Sequence, residues 1–221
     1  MAQIAEDLFL LLVDNASAQP GLDRARRERV LTAAVLLDLA RACLIRPAVA
    51  GEPVAAGKLV ALRGGAPVDA VGEPAWRLLQ RRPLRPAVAL SKLRKHTEDN
   101  LVAHLERTGQ LRRVRLKHTG MTHPYALPLT DRHRVGQARS DLLAALFEGR
   151  PPTAPTAAII SVLHAVDGLG ALLSLNDRGW RWVHGRAGEI ASGSWVDESP
   201  TGLAEVNVAI TASALRSALN Q

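Results

Sequence analysis

The chain holds a single cysteine, Cys43, among 221 residues. An intramolecular disulfide is therefore impossible, and a thiolate metal cluster is excluded for want of ligands. Cys43 stands inside an apolar run and is expected to be a small buried hydrophobe. Aromatic residues make up 3% of the chain, too few for the stacking platforms that single-strand nucleic-acid binders use. No apolar run reaches the roughly 20 residues of a membrane-spanning helix. The early apolar stretch Leu8 to Val13 follows Glu6 and Asp7 and lacks a basic leader. No secretory signal is read there, and a cytoplasmic protein with at most peripheral membrane contact is expected.

Catalytic and metal signatures are missing as well. His118, His123, Asp131 and His133 surround one turn region, but neither HExxH nor paired CxxC spacing occurs, so no metal is expected. Ser161, His164 and Asp167 share one apolar helix. A nucleophile, its base and an orienting acid on one helix do not converge, so these read as buried, satisfied polar groups. Gly64-Gly65 and Gly168-Leu169-Gly170 read as turns, because neither belongs to a strand–loop–helix phosphate cradle. Trp180, Trp182 and His184 read as packing and helix surface. No enzyme and no cofactor is expected.

What the chain does have is positive charge, unevenly placed. Residues 1–150 carry 24 of the 28 lysines and arginines and 15 of the 21 acidic residues, a balance of +9; residues 151–221 come to −2. Cationic surface concentrated in this way attracts polyanions over about 8 Å at physiological salt. A nucleic-acid backbone, an anionic membrane and an acidic partner are the candidates.

The hydropathy pattern is mainly helical. Ile4, Leu8, Leu11 and Leu12 place a buried helix over 3–16, with Glu6 and Asp7 in its first turn. A second helix, from about Asp23 to Leu44, opens with Arg24, Arg26, Arg27 and Arg29 and continues almost wholly apolar, which puts it at the centre of the core. Cations at a helix start oppose its dipole and are better tolerated beside an anion. A short hairpin is expected over 45–63, a helix near 69–81, and a basic loop from Arg81 to Arg85. The helix over 87–108 ends at Gly109, and a second hairpin follows at once. Alternation there sends Val114 and Leu116 to one face and Arg113, Arg115 and Lys117 to the other. Helices near 131–148, 155–166, 169–191 (interrupted near Gly179) and 201–219 complete the chain, with an exposed loop from Ser192 to Pro200. The Pro-rich break at 150–155 is flanked by continuing core. The expectation is a single compact multi-helix domain over residues 1–221, mainly α, around a buried central helix, with one or two short β-hairpins.

Three stretches, in order, resemble one known family. They are Ala5-Glu6-Asp7-Leu8-Phe9-Leu10-Leu11-Leu12, then Leu31-Thr32-Ala33-Ala34-Val35-Leu36-Leu37-Asp38-Leu39-Ala40, then the junction Leu101 to Leu111 with a hairpin carrying Tyr125 and Pro128 before Asp131. Together they are similar to the Golgi phosphoprotein 3 family, and the residue usage suggests a bacterial member. The resemblance implies peripheral membrane adaptors without metal or organic cofactor. Such proteins bind phosphatidylinositol 4-phosphate and hold the cytoplasmic tails of glycosyltransferases. Their hairpin, here 111–129, serves self-association and membrane contact. The family's headgroup site uses a Trp and an Arg around the start of the second helix and two basic residues three apart on the helix before the hairpin. In this chain Asp23 and Thr32 take the first two positions, and Lys95 and Glu98 the pair. Lys95 keeps the charge, and Arg24, Arg26, Arg27, Arg94 and His96 lie nearby as substitutes. Glu98 repels a phosphate unless paired, for instance with Arg94 one turn earlier. The resemblance thus assigns Lys95, Arg94, Arg24, Arg26 and Arg27 to the headgroup, and Arg113, Arg115 and Lys117 to membrane or oligomer contact.

A helix followed by a basic hairpin also describes a winged DNA-binding module, the alternative reading. Against it, the helix at 87–108 carries Glu98, Asp99 and Glu106 where a base-reading helix needs Arg, Asn or Gln.

Overall fold

A computed structural model describes residues 3–62, 68–116, 125–196 and 202–220. Among these the order is α1 (Gln3–Val13), α2 (Arg24–Arg41), β1 (Ile45–Pro47), β2 (Leu59–Ala61), α3 (Glu73–Arg81), α4 (Pro86–Arg107), β3 (Val114–Arg115), β4 (Tyr125–Ala126), α5 (His133–Phe147), α6 (Ala154–Ala165), α7 (Asp177–Ser192) and α8 (Leu203–Leu219). The fold is mostly α-helical, with two small antiparallel two-stranded sheets.

The centre is α2. Every residue from Val30 to Ala40 is buried, which requires neighbours on all sides; α1, α4, α6 and α8 supply them, and α3 adds a further contact. The helix starts on Asp23, whose carboxylate accepts the backbone N–H of Arg26 at 3.0 Å. That capping also draws the Asp23 carboxyl below its ordinary pKa, the Arg26 amide first and its guanidinium second. The second buried helix, α1, is held by a long-range cap. The Asp38 carboxyl of α2 accepts the backbone N–H groups of Ile4 and Ala5 at 2.8 and 2.9 Å.

Cys43 corrects the sequence reading. It is exposed, and its φ of 54° lies in the left-handed region. The N–H of Leu44 reaches back to the Leu39 carbonyl (2.9 Å) and that of Cys43 to Ala40 (2.9 Å). This is the left-handed closure of a helix C-terminus, a place glycine fills without steric cost. Cys43→Gly is expected to raise stability by about 0.5–1 kcal/mol in urea denaturation; a loss would contradict this account.

The first hairpin pairs Ile45 with Ala61 and Pro47 with Leu59. Leu59 and Leu84 exchange backbone hydrogen bonds at 2.8 and 3.2 Å, so the loop entering α4 is tied to the hairpin. In the second hairpin Val114 pairs with Ala126, and a further bridge joins Leu111 to Leu129. Lys117 and the turn with His118 and His123 lie outside the described residues.

Two other expectations are revised. Gly179 does not interrupt a helix: α7 begins just before it, and the Gly179 N–H is capped by Asn176 Oδ1 at 2.9 Å. The stretch after Ser192 is not simply an exposed loop, since a short 3₁₀ turn buries Trp195 against the core. At the Pro-rich break, Thr153 caps α6, and side chains before and after it, such as Leu142, Leu146 and Ile160, join one apolar cluster.

Candidate functional site

The cations named from the sequence lie where the start of α2 meets the middle of α4, and most are already committed. Arg27 is 3% exposed, its Nε donating to Glu98 Oε1 at 2.9 Å and its Nη1 to the Leu22 carbonyl at 3.0 Å. Glu98 is therefore paired, but with Arg27 across the interface rather than with Arg94 on its own helix. Arg24 bonds Glu28 at 2.7 Å on the surface. Arg26 binds Asp23 and also reaches the Val166 and Asp167 carbonyls at 3.4 and 3.2 Å, serving the free end of α6. Arg94 is half-buried, with its Nε enclosed and unpartnered.

Thr32 is buried. Its Oγ1 lies 2.7 Å from the Glu28 carbonyl and 3.1 Å from Thr97 Oγ1, so it joins α2 to α4. A hydroxyl at this depth offers a phosphate neither charge nor a fork of donors. Lys95 alone of the five is exposed and carries no carboxylate partner among the described residues.

At the second hairpin, the Arg113 N–H donates to Glu106 Oε1 at 3.0 Å, and its guanidinium lies 5.5 Å from the Tyr125 ring centroid. Arg115 is exposed. The expected apolar face is not buried, since Val114 is 43% exposed and Tyr125 39%. Strands of two residues are too short to lay the alternating side chains onto the core.

The structure brings together cations that sequence reading did not group. Arg77 and Arg81 of α3 face Lys92 and His96 of α4 across a groove. Lys92 and His96 are four residues apart and so share a helix face, a signal visible in the sequence; their meeting with α3 was not. Elsewhere, Ser161 Oγ bonds the Ala157 carbonyl at 2.7 Å, as a satisfied buried hydroxyl does. The other two correct the expectation: His164 is only half-buried, its Nδ1 without a partner among the described residues, and Asp167 is exposed beyond the end of α6. Burial and the nearby His184 ring keep His164 below its ordinary pKa. No group of three or more His, Cys, Asp or Glu able to hold a metal occurs among the described residues.

The fold defines a helical protein built around a buried helix, with cationic side chains of α3 and α4 lining one groove. The family model of Golgi phosphoprotein 3 (GPP34) matches residues 4–203, and the chain belongs to that family. No curated protein matches it. No helix is long and apolar enough to cross a membrane among the described residues.

Proposed function

We propose that this protein is a peripheral membrane adaptor without enzymatic activity. It binds an anionic headgroup, phosphatidylinositol 4-phosphate by family membership, and holds a protein tail or cargo. The carrying observation is the outer ridge of α4, where Lys95 and Lys92 stand three residues apart, exposed and without carboxylate partners among the described residues. Each basic residue near an anionic leaflet contributes about 1 kcal/mol. Arg94 flanks this ridge; Arg24 and Arg26 add long-range attraction reduced by their partners. Arg27 acts from inside, by neutralising Glu98. The 111–129 hairpin, with Arg113 and Arg115, is the proposed contact for self-association or for the membrane; its exposed Val114 and Tyr125 support that reading. The DNA-binding alternative is weakened because α4 is packed against α1, α2, α3 and α8 and carries acids on its free face.

Liposome co-sedimentation tests the proposal, using neutral vesicles, plain anionic vesicles and vesicles with phosphatidylinositol 4-phosphate, each at low and high salt. Thr32 and Glu98 in place of basic residues lead to the expectation of salt-sensitive binding to both anionic kinds. Lys95→Ala is expected to weaken it by about fivefold. Absence of binding to every vesicle would sink the lipid reading and leave duplex DNA and protein partners to be tried.

A further inference from the structure

The groove between α2, α3 and α4 encloses about 460 Å³, within the range of small-molecule sites. Its floor is aliphatic, formed by Val35, Ala75 and Leu93. The only hydroxyls there, on Thr32 and Thr97, are occupied by the Glu28 and Leu93 carbonyls and by each other. A sugar or nucleotide base pressed onto Val35, Ala75 and Leu93 meets hydrogen-bonding side chains only at the rim, where Asn100 and His96 stand, and loses water over the rest of its polar edge without compensation. An aliphatic chain loses nothing by the same move.

The mouth has the opposite character. Arg77, Arg81, Lys92 and His96 stand around it, and none of the lining side chains is acidic. Arg77 is held by Glu73 of its own helix at 2.6 Å. Arg81 and Lys92 are exposed and have no carboxylate partner among the described residues. Unneutralised cations next to an apolar floor complement a molecule with an anionic head and a hydrocarbon tail.

We propose that this groove takes one acyl chain of an anionic phospholipid, with the phosphate held between Arg81 and Lys92. The proposal rests on the lipid-binding reading above and adds a place for the chain, on the flank of α4 away from the Arg27–Glu98 pair. The guanidinium of Arg81 supplies forked donors to phosphate oxygens, and Lys92 a point charge.

The probes are lysophosphatidic acid with one palmitoyl chain below its micelle concentration, lysophosphatidylcholine with the same chain, and glycerol 3-phosphate. Binding to the full chain is read by native mass spectrometry and calorimetry. Lysophosphatidic acid is expected to bind one to one, and glycerol 3-phosphate at least about a hundredfold more weakly, because several methylenes are buried with the chain. Arg81→Glu combined with Lys92→Glu, both surface changes, is expected to weaken the lipid more than about tenfold. Leu78→Asp, on the half-buried wall, is expected to remove binding with the helical circular dichroism retained. Equal binding of glycerol 3-phosphate, equal binding of the neutral lipid, or a charge-reversed variant that binds normally would each overturn the proposal. Failure of lysophosphatidic acid to bind while anionic vesicles still do would overturn the groove and leave the adaptor reading standing. One-to-one binding without any vesicle binding would support the groove and sink the peripheral reading.

Discussion

Replacing Arg134 with methionine is expected to lower the unfolding free energy by about 2–4 kcal/mol, measured by urea denaturation at neutral pH. Arg134, in the first turn of α5, donates to Asp7 Oδ1 at 2.6 Å and to Glu6 Oε2 at 2.5 Å. His104 of α4 stands 3.2 Å from the other Glu6 oxygen. Both acids are buried in α1. Burial already holds the Asp7 carboxyl above its ordinary pKa, and Arg134 is the chief influence opposing that rise. Removing the guanidinium leaves two enclosed carboxylates without their chief counter-charge, the costly half of a broken buried pair. Arg134 is itself one third exposed, so solvent screening keeps the figure below that of a fully buried network. A pH signature follows. A folded pKa raised further means that the penalty is largest at neutral pH and is relieved as the pH falls through that value. The difference between variant and parent should therefore shrink as the pH is lowered from neutral into the acid range. Arg134→Lys keeps a charge but loses the fork, and is expected to recover part of the stability. A methionine variant as stable as its parent would show that α1 and α5 are held by apolar packing alone.

The second large effect is expected at Asp38. Its carboxyl accepts both buried amides at the start of α1, those of Ile4 and Ala5. Asp38→Ala should cost about 2–4 kcal/mol, since each stranded buried donor costs about 1–3 kcal/mol. Asp38→Asn keeps one acceptor and should cost clearly less. Burial pushes the Asp38 carboxyl up to about 8, against the two amides, which favour the ionised form; the nearby Asp69 adds to the rise. For an acid whose folded pKa exceeds its unfolded one, the stabilisation is complete below the unfolded value, near pH 4, and is lost as the pH rises through about 8. Stability measured from pH 6 to 9 should accordingly fall in the parent and be flatter in Asp38→Asn. Parallel curves would place the ionised carboxylate in the fold at all these values.

The helices were largely legible because their apolar residues recur at helical spacing, and α2 was readable as central because it is apolar on every side. Helix ends were less so. Cys43 looks like core by its neighbours in sequence, yet the chain must turn out of α2 there, and the turn faces it to solvent. Gly179 looks like a break, but an Asn three residues earlier makes it part of a helix start. The candidate surface was legible as composition and not as geometry. Arg24, Arg26 and Arg27 read as one cationic cluster. Their separate partners, Glu28, the end of α6 and Glu98, depend on which helices lie beside them.

By itself, the sequence determined that this is a helical protein without an intramolecular disulfide, with a buried second helix and with its positive charge in the first 150 residues. Periodicity, residue counts and charge are properties of the chain and need no partner to be evaluated. Only the tertiary structure decided which charges remain free. Residues far apart in the chain, such as Arg27 and Glu98 or Arg134 and Glu6, neutralise each other once packing brings them within a few ångströms. The same packing of α3 on α4 brings Arg81 and Lys92 to one groove with an aliphatic floor and no carboxylate among its lining side chains.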